Sequence, residues 1–100
     1  MAEIRVTSTQ LRSKASELRN LNNQFKSTVS SMTSTESSLM NMWDGEAKAA
    51  FHRAYTNDKN QMDAFYQAIE NYCRALEENA TKYDEMERRN VATANTRTYK

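Results

Sequence analysis

Residues that interrupt helices are almost absent from this sequence. The 100 residues contain no proline and one glycine, and Gly45 stands two positions after the single tryptophan, Trp43. Because glycine and proline are the strongest helix breakers, long helices are expected on both sides of Gly45. Asp44, between the two, is a residue type that caps the start of a helix. Trp43-Asp44-Gly45 therefore predicts a tight turn between two helices in an all-α fold.

Length and charge limit the class of protein. One hundred residues make one small domain, and a formal net charge of +1 gives no basic footprint for nucleic acid. Residues 1–4 lead directly into polar sequence, without a basic segment and apolar run, and no stretch has the length and apolarity of a bilayer span. We expect no nucleic-acid partner and no cleavable signal peptide.

Residues that carry catalytic or metal chemistry are scarce. Cys73 is the only cysteine, which excludes an internal disulfide, and His52 is the only histidine. One of each cannot supply a metal site or a catalytic pair unaided. We interpret Cys73 as a buried thiol, with an interchain disulfide as the alternative, and His52 as a solvated helix residue. No catalytic residue, metal or cofactor is expected.

A capping box marks the start of the first helix. Thr7 can cap it, Gln10 follows three residues later, and Val6 can pack against Leu11. Apolar residues then recur every seven positions in one row: Ile4, Leu11, Leu18, Phe25, Met32 and Leu39. The neighbouring row mixes apolar and polar residues: Ala15, Asn22, Val29, Glu36 and Trp43. Together they predict a narrow packing seam that polar residues interrupt.

The second half of this helix is rich in serine and threonine. Nine of the twelve residues 27–38 are Ser or Thr, which weaken an isolated helix. A linker is one interpretation of this stretch. Because Val29, Met32 and Leu39 keep the seven-residue register through it, we expect the helix to continue toward Met42.

The second helix has a wider apolar face. Two rows recur at seven-residue spacing: Tyr55, Met62, Ile69, Leu76 and Tyr83 in one, and Phe51, Phe65, Tyr72 and Met86 in the other, which Asp58 and Asn79 interrupt. The flanks are lined by Ala47, Ala54, Ala68 and Ala75 on one side, and by Tyr66, Cys73 and Ala80 on the opposite side. An acidic row is expected to face solvent: Asp63, Glu70, Glu77 and Asp84.

A face of this width needs more than one neighbouring helix. A second copy of the chain would complete a four-helix bundle. A paralogue or a helical segment of a larger protein would fit equally well, and a loosely packed monomeric hairpin is the remaining alternative. The predicted dimer and hairpin core contains nine residues: Leu18, Phe25, Phe51, Tyr55, Met62, Phe65, Ile69, Tyr72 and Leu76.

These patterns predict a single helical-hairpin domain over residues 1–100. Helix 1 is expected at about 8–42, the turn at 43–45, helix 2 at about 46–88, and a flexible tail at about 89–100. The predicted fold class is all-α: an antiparallel helical hairpin with the Trp-X-Gly turn between its helices, dimerising into an elongated four-helix bundle.

A central Trp-X-Gly turn in a helical chain of 100 residues resembles the WXG family of small proteins exported by type VII secretion systems, the early secreted antigenic target superfamily. That family also carries a Tyr-X-X-X-Asp/Glu signal late in helix 2, which Tyr83 and Glu87 match in type and place. One helical turn separates them, so one partner can contact both. Tyr66 and Glu70 match the same spacing in mid-helix.

The resemblance implies a non-enzymatic export substrate. It implies an antiparallel dimer with itself or with a paralogue, cytoplasmic before export and extracellular afterwards. The implied reader is the membrane ATPase of the secretion system, and the implied export and recognition signal is Trp43, Gly45, Tyr83 and Glu87. In an antiparallel dimer the turn of one chain lies level with the low eighties of the other, which would join the two parts of that signal.

Other roles fit the same residues. Trp43 can plug the end of the core, Gly45 can serve the turn alone, and Tyr83 can be an ordinary half-buried core residue. Two other functions also fit the pattern. One is an adaptor that binds the helical N-terminal region of a larger exported toxin, and the other is an intracellular helical interaction module.

Overall fold

The computed structural model describes residues 7–98, with side chains to residue 95. Within that range the chain forms two helices, α1 (Ser8–Met42) and α2 (Glu46–Thr98), of 35 and 53 residues. No strand occurs among the described residues. The predicted all-α hairpin is confirmed, and α1 begins and ends where the capping box and the Trp-X-Gly turn place it.

The capping box fixes the first turn of α1. The Thr7 N–H donates to Gln10 Oε1 at 2.9 Å, and the Gln10 N–H donates to Thr7 Oγ1 at 3.2 Å. The Leu11 N–H donates to the Thr7 carbonyl at 3.0 Å. These bonds satisfy donors that the start of a helix leaves unpaired. The predicted contact of Val6 and the place of Ile4 in its row lie outside the described residues.

The serine- and threonine-rich stretch is helical throughout, as its apolar register predicts. Thr33 Oγ1 donates to the Val29 carbonyl at 2.9 Å and shares a hydrogen bond of 2.7 Å with the Tyr55 hydroxyl on α2. The first bond keeps the hydroxyl within its own helix, and the second joins α1 to α2. Contact with α2 therefore outweighs the weak helix propensity of this stretch.

Gly45 forms the turn through a backbone conformation that other residues rarely adopt. Its φ is +107°, and its carbonyl accepts a hydrogen bond of 3.2 Å from the Lys48 N–H at the start of α2. A Cβ built on Gly45 would meet no atom within 4 Å. Glycine is therefore needed here for its left-handed conformation and not for a close approach between the helices.

The contacts between α1 and α2 fall into two compact units. The turn unit comprises Arg19–Glu70, and the terminal unit comprises Met1–Leu18 with Asn71–Lys100. In the turn unit, α1 buries Asn22, Val29 and Glu36. Half-buried side chains of α2 in the same unit are Lys48, Tyr55, Lys59, Met62, Tyr66, Ala68, Ile69 and Glu70. The buried part of this unit thus contains polar groups as well as apolar ones.

The terminal unit buries mostly small side chains. Ala15 of α1 and Cys73 and Ala80 of α2 are fully buried. Leu11, Leu18 and Leu76 are half-buried in the same unit. Cys73 is a fully buried free thiol, as the sequence predicts.

The packed faces of both helices are rotated from the predicted ones. In α1 the most buried row is the mixed row that includes Asn22 and Glu36, whereas Met32 and Leu39 of the all-apolar row are exposed. In α2 the buried row contains Cys73, which the sequence pattern assigns to a flank. Small side chains and hydrogen-bonded polar ones occupy the centre of the seam because they let the helices approach closely. Large apolar side chains fit better at its edges.

Three residues of the predicted core lie at the surface of the chain as a result. Phe51, Phe65 and Tyr72 are 40%, 56% and 61% exposed, so the hairpin does not bury them. Phe65 still makes an edge contact with Phe25, with ring centroids 5.4 Å apart. The other six are half-buried: Leu18, Phe25, Tyr55, Met62, Ile69 and Leu76. Burial of the three exposed aromatic residues in a dimer stays a prediction.

α2 continues past its predicted end near residue 88, as far as Thr98. The expectation of a flexible tail is therefore wrong for residues 89–98, and Tyr99 and Lys100 lie outside the described residues. Residues 89–98 contain neither glycine nor proline, and Ala92 and Ala94 favour a helix. Nothing in this part of the sequence ends the helix.

Candidate partner-recognition surfaces

The later Tyr-X-X-X-Glu match, the 83–87 segment, lies on an exposed part of α2 in the terminal unit. Tyr83 is 39% exposed, and Glu87 is exposed. No described residue bonds to the Glu87 carboxylate. This carboxylate borders a surface cavity of about 470 Å³ that is lined by Asp84, Glu87, Arg88 and Val91. A ring and an unpaired carboxylate one turn apart are available to one partner.

Asp84, which lies in the same segment, bonds to α1 within the terminal unit. Arg12 Nη2 donates to Asp84 Oδ2 at 2.7 Å, which also forms an ion pair between α1 and α2. A hydrogen bond from the Ser8 side chain and then the one from Arg12 hold the pKa of Asp84 below its usual value, because both stabilise the charged carboxylate. Asp84 thus anchors the segment to α1.

The earlier match, the 66–70 segment, is built into the turn unit. Asn22 Nδ2 donates to Glu70 Oε1 at 3.1 Å, and Arg19 Nε lies 3.6 Å from Glu70 Oε2. Lys26 Nζ lies 5.0 Å from the centre of the Tyr66 ring, in a cation–π contact. Residues of α1 therefore contact both the Tyr66 ring and the Glu70 carboxylate.

The prediction that the acidic row of α2 faces solvent is right for Asp63, which is exposed, and wrong for Glu70 and Asp84, which bond to α1. Glu77 also has an interaction partner. Asp63 accepts a hydrogen bond of 3.0 Å from Lys59 of its own helix. The reason is the rotation of the packed face. The row next to buried Cys73 lies at the edge of the contact with α1, within reach of its basic residues.

Trp43 packs against α2 beside the turn. Its ring centroid lies 5.4 Å from that of Phe51, with the two ring planes tilted by 55°. Trp43 is half-buried, while the adjacent Met42 is exposed. The tryptophan thus fills space in the turn unit and still presents part of its ring to a partner.

His52 is paired with a buried carboxylate. Its Nδ1 lies 2.6 Å from Glu36 Oε1, and the Glu36 side chain is only 6% exposed. The prediction of a solvated histidine is right for the ring, which is more than half exposed, and wrong for Nδ1. A buried carboxylate needs such a partner, because an unpaired charge in the interior is strongly disfavoured. Among the described residues, no group of His, Cys, Asp and Glu could hold a metal ion.

An apolar groove crosses the turn unit. It has a volume of about 400 Å³, and its apolar lining is Met32, Leu39, Phe51 and Tyr55. Helical spacing places its α1 residues on one side of the buried row and the basic residues that contact the 66–70 segment on the other side. The turn unit therefore has one polar edge and one apolar edge.

The four predicted recognition residues fall into two places. Trp43 and Gly45 belong to the turn unit, and Tyr83 and Glu87 belong to the terminal unit. That the two pairs meet across two chains stays a prediction. Sequence reasoning missed which carboxylates are already paired. The signal was present, because three basic residues recur every seven positions along α1: Arg12, Arg19 and Lys26.

The turn and the 83–87 segment both fall within a family match. The model for WXG100, proteins of 100 residues with a Trp-X-Gly motif, matches residues 3–88. This chain belongs to the WXG100 family. The resemblance drawn from the turn is thereby confirmed for this WXG100 protein over most of its length.

Solved structures have the same fold as this WXG100 chain. A selenomethionine form of the secreted protein EsxB from Bacillus anthracis matches it with a TM-score of 0.77 at 24% identity, covering 87% of this chain and 99% of EsxB. Wild-type EsxB from the same organism gives a TM-score of 0.75 at 25% identity, covering 84% of this chain and 97% of EsxB. Agreement over more than four fifths of this chain and nearly all of EsxB establishes the two-helix fold.

Comparison with curated protein sequences gives no match. In the described part of the chain, neither helix contains an apolar stretch of the kind needed to cross a bilayer.

Proposed function

We propose that this WXG100 protein is a non-enzymatic substrate of a type VII secretion system. It is exported from the cytoplasm as a folded helical dimer, without cleavage of a signal peptide, and acts outside the cell as a binding protein. Its reader is the membrane ATPase of the system, and its signal comprises Trp43, Gly45, Tyr83 and Glu87. The observation that carries the proposal is an exposed, unpaired Glu87 one turn from Tyr83 in a chain of this family.

The two Tyr-X-X-X-Glu matches differ in whether the glutamate carboxylate is free to bind a partner protein. The Glu70 carboxylate is 18% exposed and accepts a hydrogen bond from Asn22, so a reader would have to break contacts of the turn unit to bind it. Glu87 has no such contact among the described residues. A docking partner can pair a cation with Glu87 and accept the Tyr83 ring in an apolar pocket, at little cost to the fold.

Dimerisation is supported by the apolar side chains that the single chain leaves exposed. In the turn unit these include Met32, Leu39 and Phe65, and in the terminal unit they include Tyr72 and Met86. Water-exposed apolar area of this kind marks protein contact surfaces in small soluble proteins. A second copy, or a paralogue with the same pattern, covers these residues and completes a four-helix bundle of twice the chain mass of 11.6 kDa.

The absence of enzymatic function is supported by the state of the reactive side chains. Cys73 is fully buried, and His52 is held through Nδ1 by Glu36. Within the described residues no hydroxyl or thiol is bonded to the His52 imidazole, so the His52–Glu36 pair has no nucleophile to activate. A charge balance of 14 basic and 13 acidic residues likewise supports a partner other than nucleic acid.

The proposal is tested in the native host with and without the gene for the secretion ATPase. The protein is expected in the culture medium of the parent strain and only in the cell fraction of the deletion strain. Light scattering on the purified protein should give about twice the chain mass of 11.6 kDa at micromolar concentration. Appearance in the medium without the ATPase would exclude the proposed route, and a monomeric mass with full helicity would exclude the dimer.

A second candidate function is an adaptor that carries a larger exported toxin. The apolar groove favours it, because Met32, Leu39 and Phe51 offer a surface that the apolar face of a foreign helix can cover as well as a second copy can. A toxin gene adjacent to the gene for this chain, and a one-to-one complex with that toxin's N-terminal helical region, would favour the adaptor. Retention in the cell fraction of the parent strain would favour the third function, an intracellular interaction module.

A further inference from the structure

The polar edge of the turn unit contains a cavity that has no part in the proposed function. It has a volume of about 500 Å³ and is lined by residues of both helices. We infer that this cavity, the Lys26 cavity, binds a small amphipathic anion, in which one acidic group is attached to an apolar body. The residues that carry the inference are Lys26, Val29, Ser30, Met62, Tyr66 and Gln67.

Part of the lining of the Lys26 cavity is apolar. Val29 is buried, and Phe25 and Met62 are half-buried. Small-molecule sites in proteins commonly have volumes of about 300–1,000 Å³ and combine an apolar lining with a few polar groups. The apolar body of a small organic molecule is therefore stabilised by contact with these side chains in place of water.

Lys26 supplies a positive charge that no carboxylate of the chain neutralises. Arg12 and Arg19, which precede it in the basic row of α1, each pair with a carboxylate of α2. Lys26 instead places its Nζ 5.0 Å from the centre of the Tyr66 ring, and no carboxylate of the described residues bonds to it. Its ammonium group is therefore free to pair with an anion from outside the chain.

The other polar groups of the lining favour an anion over a cation. Lys59 and Asp63 bond to each other at 3.0 Å, so two lysines and one aspartate leave one positive charge in the lining. Ser30 and Gln67 are exposed, and no described residue bonds to their side chains. A hydroxyl and an amide donor are thus available beside the Lys26 ammonium group for the oxygens of an acidic ligand.

The Lys26 cavity stays open when a second copy of the chain covers the apolar groove. Helical spacing places Met32 and Leu39 of that groove on one side of the buried row of α1, and Lys26 on the other side. Dimerisation through the apolar edge therefore leaves the polar edge accessible. Ligand binding at this edge is compatible with the proposed dimer and does not depend on export.

The ligand that fits the cavity is a free small molecule, in preference to a membrane surface. Recognition of an anionic membrane takes a cluster of several exposed cations. Of the residues that line the cavity, Lys26 is the one cation without a carboxylate partner, and Asp63 would repel a layer of anionic headgroups. A single anion with an apolar body needs only one such charge and the apolar lining beside it.

The inference is tested with two fluorescent probes on the purified full chain. Anilinonaphthalene sulfonate carries an acidic group on an aromatic body, and phenylnaphthylamine is the same body without the charge. Lys26→Met keeps the apolar stem and removes the ammonium group. It should weaken binding of the sulfonate about two- to five-fold, as for loss of a partly exposed ion pair, and leave binding of the neutral probe unchanged.

Lys48→Met is the matched control, because Lys48 is a lysine of the same unit that lines a different cavity. It should bind both probes as the parent does. Equal weakening of sulfonate binding by the two variants would overturn the inference, since the effect would then be one of overall charge. Parent-level binding of the sulfonate by Lys26→Met would overturn it as well.

Amide chemical shifts of the parent chain locate the bound sulfonate without any substitution. The amides of Ser30 and Gln67 should shift more than those of Leu39 and Phe51, which belong to the apolar groove. Shifts confined to the groove would overturn the inference by showing that the probe binds only the exposed apolar surface. This measurement decides the matter even if Lys26→Met proves less helical than the parent by circular dichroism.

Flotation with lipid vesicles tests the membrane alternative. The parent chain should remain in solution with vesicles of phosphatidylglycerol, as with neutral vesicles of phosphatidylcholine. Flotation with phosphatidylglycerol that is lost in Lys26→Met would assign the cavity to a membrane surface and overturn the inference of a free ligand.

Discussion

The 66–70 and 83–87 segments of α2 have the same Tyr-X-X-X-Glu spacing and opposite surroundings. In the first, Asn22 and Lys26 of α1 contact the carboxylate and the ring. In the second, α1 takes only the intervening Asp84, and Glu87 is left without a described partner. Whether such a carboxylate is free to bind a partner depends on the helical row in which it lies, because three of the four basic residues of α1, Arg12, Arg19 and Lys26, recur along one edge of that helix.

The largest expected effect separates the two segments by function. Glu87→Ala should abolish or strongly reduce secretion, because it removes the charge that a reader pairs with. Glu70→Ala should still be secreted, since its carboxylate is not available to a reader. Secretion is measured as the amount of each variant in the medium relative to the parent.

Glu85→Ala is the matched control for Glu87→Ala. It removes an exposed carboxylate two positions away on a different face of the same helix. Parent-level secretion of Glu87→Ala, or a greater loss in Glu70→Ala at equal protein stability, would reverse the assignment of the two segments.

The next effect tests whether a second copy covers the surface beside the 66–70 segment. Ile69→Ala should lower the free energy of unfolding by roughly 2–5 kcal/mol, because it leaves a cavity beside packed side chains. Phe65→Ala should produce a loss of the same order only if a second chain covers the ring, since the single chain leaves it 56% exposed. Chemical denaturation at several protein concentrations measures both. A small, concentration-independent effect of Phe65→Ala would argue against the dimer face.

Gly45→Val should affect the 66–70 segment more than the 83–87 segment, because the turn belongs to the same unit as the first of them. The φ of +107° imposes a cost of more than about 1–2 kcal/mol on a β-branched residue, although an added Cβ would meet no atom. Gly45→Ala should cost less than valine, for lack of a branch. Hydrogen exchange should show a larger loss of protection at 66–70 than at 83–87. An unchanged melting temperature for the valine variant would show that the backbone does not require glycine.

A smaller effect is expected when the two carboxylates are compared by stability instead of secretion. Glu70→Ala should lower the free energy of unfolding by roughly 1–3 kcal/mol, because the Asn22 amide and Arg19 both lose their carboxylate partner. Glu87→Ala should change it by no more than about 0.5 kcal/mol, as for most exposed sites. Thermal melts of the two variants at one concentration measure the difference. Equal losses would mean that Glu87 also has a structural role.

The smallest expected effect concerns Asp84. Its pKa is lowered in the folded chain by Ser8 and Arg12, so the charged carboxylate is bound more favourably in the folded state than in the unfolded one. The stability that it contributes is therefore present above the ordinary aspartate pKa of about 3.9 and lost as pH falls through the lowered folded value. Asp84→Asn should melt slightly below the parent at neutral pH. The two should converge in strong acid, and a gap that widens on acidification would contradict the direction of the shift.

The helix boundaries of α1 and the turn could be predicted because local chemistry determines them. Thr7 and Gln10 bond to each other's backbone, and Gly45 alone can adopt the turn conformation without strain. The end of α2 could not be predicted in the same way. A polar sequence was interpreted as a flexible tail, although no residue in it interrupts a helix.

The packed face was harder to predict than the helices. The seven-residue pattern assigns the largest apolar side chains to the core, and it therefore predicts that Phe65 and Tyr72 are buried. In the structure both are exposed, and Cys73 and Asn22 are buried between the helices instead. Two rows separated by a fraction of a turn cannot be ranked by hydrophobicity alone. Which row is buried also depends on the partner that a polar side chain finds on the other helix. Glu36 can be buried because His52 bonds to it, and the sequence spacing does not predict that pairing.

Asn22 restricts how the turn unit can assemble. It is buried, its Nδ2 donates to the Tyr66 carbonyl and to Glu70, and its Oδ1 has no hydrogen-bond partner among the described residues. If α1 slid by three or four residues, the amide would move away from the Glu70 carboxylate, whereas a slip of a whole heptad would bring it to another carboxylate of the acidic row, Asp63 or Glu77. The asparagine therefore disfavours pairings that are misaligned by a fraction of a heptad. A leucine at position 22 would remove the unpaired oxygen and the selection against those pairings together.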